Sequence, residues 1–269
     1  MAQIAPLPNE LSAVLGKFKP ITLAEMDSVK LLNRQDTKFV ITRDKLFDIL
    51  NDIKDDYKIL EIQNIRVNTY ETLYYDTEDK KAYRRHHNGR SNRYKVRYRK
   101  YKESDLSFFE VKFKSNKNRT IKNRIVKSDI SMELDEQDLQ LLDEHTPLNP
   151  DKLTPLLWVY FKRITLVSRD MSERMTIDLG LQYKDPSKNS ALPPMDLIVV
   201  EVKQARFTRS SKIISSLHQH KSYPLKVSKY CLGIISCFGD EVKTNYFKKK
   251  LLKIAKITDN EFYRALAAS

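Results

Sequence analysis

Basic side chains occupy every second position of Arg93-Tyr94-Lys95-Val96-Arg97-Tyr98-Arg99. Phe108-Phe109-Glu110-Val111-Lys112-Phe113-Lys114 repeats the spacing with Glu110, Lys112 and Lys114. The same two-residue step links Arg34, Asp36 and Lys38; Lys122 and Arg124; Arg174, Thr176 and Asp178; and Glu201 and Lys203. Arginine forks make paired hydrogen bonds to phosphate oxygens, and lysines add point charges. A carboxylate among them can hold a hard divalent cation against those oxygens. The chemistry such a set could do is to grip and transfer phosphoryl groups.

A period of two belongs to β-strands, whose successive side chains point to opposite faces. At least six segments therefore carry one charged and one apolar face, which favours an antiparallel sheet. Strands are expected at 31–41, 66–76, 93–99, 108–114, 120–126, 159–167, 174–181 and 197–203. Amphipathic helices are expected at 43–54, 135–144, 208–220 and 245–257, with a short one within residues 9–30. Residues 77–92 read as a basic loop turning at Asn88-Gly89, and the apolar run 230–239 as a further strand. Charged faces turned to solvent over an apolar core would explain any single strand. The interleaved helices need apolar sheet surface, however, and the cations recur with single acids at matching positions. Both are satisfied by an α+β fold in which a closed antiparallel β-barrel of about eight strands forms a charged tunnel with helices packed outside. Cations crowded in that tunnel call for a polyanion and a metal ion to offset their repulsion.

Composition points the same way. The 269 residues carry 49 Lys+Arg against 35 Asp+Glu, a net charge of +14 that suits a polyanionic partner. The longest apolar run is far below the roughly 20 residues of a membrane span, and residues 1–8 do not read as a signal peptide. A cytoplasmic protein is expected, with membrane association only through a partner. Cys231 and Cys237 read as free thiols. No phosphate loop of the Gly-x-x-x-x-Gly-Lys type is present. His86-His87 and His218-Gln219-His220 lack metal-ligand spacing and read as exposed.

Arg34-Gln35-Asp36-Thr37-Lys38-Phe39, Tyr74-Tyr75-Asp76-Thr77, Arg93 to Tyr101, Glu110-Val111-Lys112, Lys122-Asn123-Arg124, Tyr160 to Arg163, Arg174 to Asp178, Val200 to Lys203 and Ser228-Lys229-Tyr230 together resemble the catalytic domain of the vacuolar transporter chaperone (VTC) family. That family belongs to the triphosphate tunnel metalloenzymes, or CYTH superfamily. The resemblance implies a polyphosphate polymerase that transfers the γ-phosphoryl group of ATP to a growing chain, with Mn2+ or Mg2+. It implies that Lys38, Arg97, Arg99, Lys112 and Glu201 are catalytic. It further implies that Lys122, Arg124, Arg163, Arg174, Lys203 and Lys229 bind phosphates, and that Glu201 is the metal ligand. The implied organisation is an N-terminal helical segment (1–30), the catalytic domain (31–240) and a basic C-terminal helix (241–269). ATP and inorganic polyphosphate are the implied partners, with no nucleic acid. Hydrolytic members of the superfamily carry Glu-x-Glu-x-Lys on the first strand; here Arg34 replaces the first acid, which favours polymerase over hydrolase. A tunnel-fold triphosphatase and a non-catalytic polyphosphate-binding module remain as alternatives.

Overall fold

The computed structural model describes residues 9–27, 35–117, 119–206, 208 and 210–268. Arg34 and the start of the first predicted strand lie outside these residues. The elements run α1 (Asn9–Gly16), β1 (Lys19–Ile21), α2 (Leu23–Asp27), β2 (Gln35–Ile41), α3 (Arg43–Ile53), β3 (Tyr57–Leu60), β4 (Asn68–Asp76), α4 (Lys81–His87), β5 (Arg93–Tyr101), β6 (Leu106–Lys114), β7 (Thr120–Lys127) and α5 (Glu136–His145). They continue through β8 (Thr154–Ser168), β9 (Glu173–Lys184), β10 (Ile198–Gln204), α6 (Lys212–Gln219), α7 (Lys229–Phe238), α8 (Lys248–Thr258) and α9 (Glu261–Ala268).

Eight strands form one antiparallel sheet in the order β2-β10-β9-β8-β4-β5-β6-β7, with β3 attached to β8 and β1 to β3. Register shifts between Tyr74 and Tyr75 and between Tyr160 and Lys162 bend the long central strands. Gly180, at φ +62°, sits at the second shift, in a left-handed conformation that glycine adopts without strain. The curl brings distant strands face to face: Lys38 on β2 and Glu201 on β10 both act electrostatically on Lys112 of β6. Among the described residues no ladder joins β2 to β7, so the sheet is curled but open rather than the closed barrel expected from the sequence. The free edge of β2 is taken instead by a neighbouring segment. Leu225 N–H donates to Lys38 O at 2.7 Å, and Phe39 bridges Pro224.

The convex face is apolar and covered by helices. Leu46, Ile49, Leu50 and Ile53 of α3 and Ile213, Ile214 and Leu217 of α6 pack on Phe39, Ile41, Met175, Ile177, Val200 and Val202. Leu141 and Leu142 of α5 cover Leu73, Val96, Tyr98, Phe109 and Val111. The opposite parity of the same strands gives the concave, charged face.

Helix α7 departs from the expected strand and closes one end of that concave face. Ser228 caps it by accepting the Cys231 N–H at 3.3 Å. Its buried residues, Tyr230, Cys231, Ile234, Ile235 and Phe238, join Val40, Leu157, Val159 and Val199, which lie at the same register parity as the charged residues. A ten-residue apolar segment has no polar face to reveal its period, because this helix is buried almost all round. Gly233 is required where it meets the sheet. An added Cβ would lie 2.6 Å from Leu157 Cδ2 and 2.6 Å from Tyr183 Cδ1, both fully buried. Gly233→Ala is expected to lower stability by about 1–3 kcal/mol in denaturant unfolding, overpacking outweighing the gain in helix propensity.

Helix α4 occupies part of the expected basic loop. Its N-terminal N–H groups at Ala82 and Tyr83 donate to the Asp76 carboxylate at 2.9 and 3.1 Å. His87, expected to be exposed, is buried, with Nε2 accepting from the Tyr246 N–H at 3.3 Å. No helix among the described residues is long and apolar enough to cross a membrane.

Candidate functional site

Three carboxylates organise the concave face, each held by two cations: Glu110 and Asp178 are fully buried and Glu201 is partly so. Glu201 faces its register neighbour Lys38 through one oxygen and Lys203 through the other, the latter at 3.1 Å. Lys203 also pairs with Asp36 at 3.1 Å. Burial would raise the Glu201 carboxyl, but Lys38 and Lys203 outweigh it and hold it well below the usual carboxylate range.

Asp178 is fully buried on β9, opposite Arg163 of β8. Arg163 donates to its two oxygens through Nε at 2.5 Å and Nη2 at 2.8 Å, and Lys229 of α7 reaches the second oxygen. Burial opposes ionisation here too, but Arg163 and Lys229 bring the carboxyl down to about 2. Glu110, on β6, receives Arg97 Nε at 2.8 Å and Nη2 at 2.7 Å, and pairs with Lys122 of β7. The same balance of burial against Arg97, Arg99 and Lys122 puts Glu110 at about 2.

These pairs leave several cations without a carboxylate. Among the described residues Arg99 donates only to the Thr72 hydroxyl, at 3.2 Å, and it lies 5.7 Å over the Tyr70 ring. Arg124 lies 4.3 Å over the Phe108 ring. Lys112 is open to solvent yet walled in, and enclosure together with Arg97 and Lys95 lowers its ammonium to about 8. A bound polyanion favours the charged form. Affinity for inorganic tripolyphosphate should therefore be full below pH about 8 and fall as pH rises through that value. Titration calorimetry across this range checks it, and Lys112→Met should remove the dependence.

The structure thus places Lys38, Arg97, Arg99, Lys112, Lys122, Arg124, Arg163, Arg174, Lys203 and Glu201 on one face, Arg174 by register opposite Lys203. Lys229 joins them from α7. Arg163 and Lys229 meet at Asp178 rather than standing open, and Asp178 was not among the expected site residues. Tyr74 was missed as well: its hydroxyl accepts from Arg97 Nη1 at 2.9 Å and fixes the guanidinium between phenol and carboxylate. Its even spacing from Tyr70 and Thr72 is the sequence signal that could have found it.

For a divalent ion, the concave face offers Glu201, whose side chain is 16% exposed, and Asp36 close by on the paired strand. Among the described residues no group of three His, Cys, Asp or Glu is arranged to hold a metal. Mg2+ and Mn2+ are commonly held by one or two carboxylates together with substrate phosphates. The residues therefore fit an ion shared with a bound phosphate chain, and not one caged by protein alone.

No curated protein is significantly similar in sequence. Among solved structures, a candidate adenylate cyclase from Vibrio parahaemolyticus is similar at 12% identity and TM-score 0.44, covering 74% of this chain and 97% of its own. A candidate adenylate cyclase from Bacillus halodurans is similar at 10% identity and TM-score 0.44, covering 77% and 98%. HpAC1 from Hippeastrum, described as having a dominant triphosphatase activity, is similar at 10% identity and TM-score 0.43, covering 73% and 93%. The VTC domain model matches residues 33–238, which span the whole concave face. The chain belongs to the VTC-domain family.

Proposed function

We propose that the protein is a polyphosphate polymerase that transfers the γ-phosphoryl group of ATP to the end of a polyphosphate chain on the concave face, with Mn2+ or Mg2+. The observation that carries this reading is the surplus of cations around three neutralised carboxylates: Arg99 and Lys112 lie on the concave face with no ion-pair partner among the described residues.

Phosphoryl transfer asks for in-line positioning and for stabilisation of charge on the transferring oxygens. Arg97 is held rigid by Glu110 and Tyr74, so it meets a phosphate without losing further freedom. Arg99 and Lys112 neutralise adjacent phosphate oxygens, with Lys122, Arg174 and Lys203 extending the charged track. Arg163 and Lys229, tied to Asp178, supply positive potential from the wall. Glu201 and Asp36 would hold the divalent ion, which would supply positive charge to offset that of the phosphates. Lys38, paired with Glu201 and partly exposed, would add a point charge toward the substrate phosphates. A chain-terminal phosphate oxygen is already ionised, so this set of residues needs no histidine to remove a proton.

The polymerase should give a ladder of long anionic polymer on a gel after incubation with ATP and Mn2+. Free phosphate alone would point to a triphosphatase, and tight polyphosphate binding without turnover to a binding module.

A further inference from the structure

The concave face changes character along β7. Lys122, Arg124 and Val126 share one face, and Lys122 is committed to Glu110. Arg124, about 7 Å further along the strand, has no ion-pair partner among the described residues and lies 4.3 Å over the Phe108 ring instead. Val126 follows in register with Phe108 and is 66% exposed, although it points to the charged side of the sheet. Tyr101 packs edge-on against Phe108 at 5.8 Å. An aromatic and aliphatic lip thus borders a groove that is otherwise lined by charge. Phosphate gains nothing from Val126 or from the Phe108 ring. A group with a flat apolar face does, and a guanidinium stacked on an aromatic ring offers its second face for stacking.

We propose that this lip is a nucleobase site, in which the base of a nucleoside triphosphate stacks on Arg124 and covers Val126 while its phosphates lie deeper, against Lys122, Arg97 and Lys112. The proposal rests on the phosphate-chain reading of the groove and assigns Arg124 to the base rather than to phosphate. Stacking is tolerant of base identity because every base has a π-face. ATP and GTP should therefore bind within a few-fold of each other.

The test compares ATP with inorganic tripolyphosphate, which has the phosphates and no base, by titration calorimetry with Mg2+ present. Arg124→Lys keeps the charge and loses the plane, so the Kd for ATP should rise about tenfold while that for tripolyphosphate changes less than about twofold. Val126→Ser, at an exposed position that leaves the core untouched, should weaken ATP about threefold and leave tripolyphosphate unchanged. Equal losses for both ligands would make Arg124 a phosphate contact and overturn the proposal, as would unchanged ATP binding in both variants. Failure of the wild type to make polymer, with the ATP-specific losses intact, would overturn the polymerase reading alone and leave the nucleobase site standing.

Discussion

Glu201→Gln should lower metal-dependent phosphoryl transfer by about a thousandfold while the protein stays folded and still binds phosphate chains. The substitution preserves size and removes the one charge that both neutralises Lys38 and Lys203 and could hold the divalent ion. The structure tolerates this loss because Lys203 keeps Asp36 at 3.1 Å and the Lys38 side chain is 28% exposed. Metal-free binding of tripolyphosphate should be undiminished or tighter, since a negative charge has left the groove. This separation of binding from turnover distinguishes loss of a metal ligand from general damage. Turnover with Mn2+ and metal-free calorimetry on the same preparation check it, and wild-type turnover would remove Glu201 from the metal site.

Asp178→Asn should be the most destabilising change on the concave face, costing about 3–5 kcal/mol. Asp178 is fully buried, and its removal leaves Arg163 and Lys229 together without the one carboxylate that contacts them, Glu201 acting only from further away. Chemical denaturation measures the loss. Saturating tripolyphosphate should recover part of it, because the polyanion binds only the folded protein and restores negative charge near those cations. The wild type should show the same linkage with pH. The folded carboxyl lies at about 2 against an ordinary 3.8. Its contribution is therefore complete above pH about 4 and is lost as pH falls toward about 2, amounting to about 2–3 kcal/mol. In Asp178→Asn this share of the acid sensitivity should be absent.

The concave face was legible because strand period is a local property. Arg93 to Arg99 and Glu110 to Lys114 announce their faces by alternation, and their register then sets Arg97 beside Glu110. What the chain does between distant segments was not legible. Nothing local to Leu225 indicates that its N–H will occupy the edge of β2 at Lys38 and leave the sheet open. Nor does anything near Asp76 indicate that its carboxylate caps α4, whose own N-cap, Lys80, contributes no side-chain bond. Helix α7 was hidden for a different reason: Tyr230 to Phe238 is buried around its circumference, so neither strand nor helix period is visible. The family resemblance named Arg163 and Lys229 as phosphate ligands; that Asp178 binds both was not visible, because Asp178 is far from Lys229 in sequence.

Lengthening of a phosphate chain at the expense of ATP is the activity proposed for the concave face. ATP labelled on its γ-phosphorus, a short polyphosphate primer and Mn2+ test it most directly. Label should appear in chains longer than the primer, but not when it sits on the α-phosphorus and not with Glu201→Gln. Label recovered only as free phosphate, with the primer unchanged in length, would contradict it.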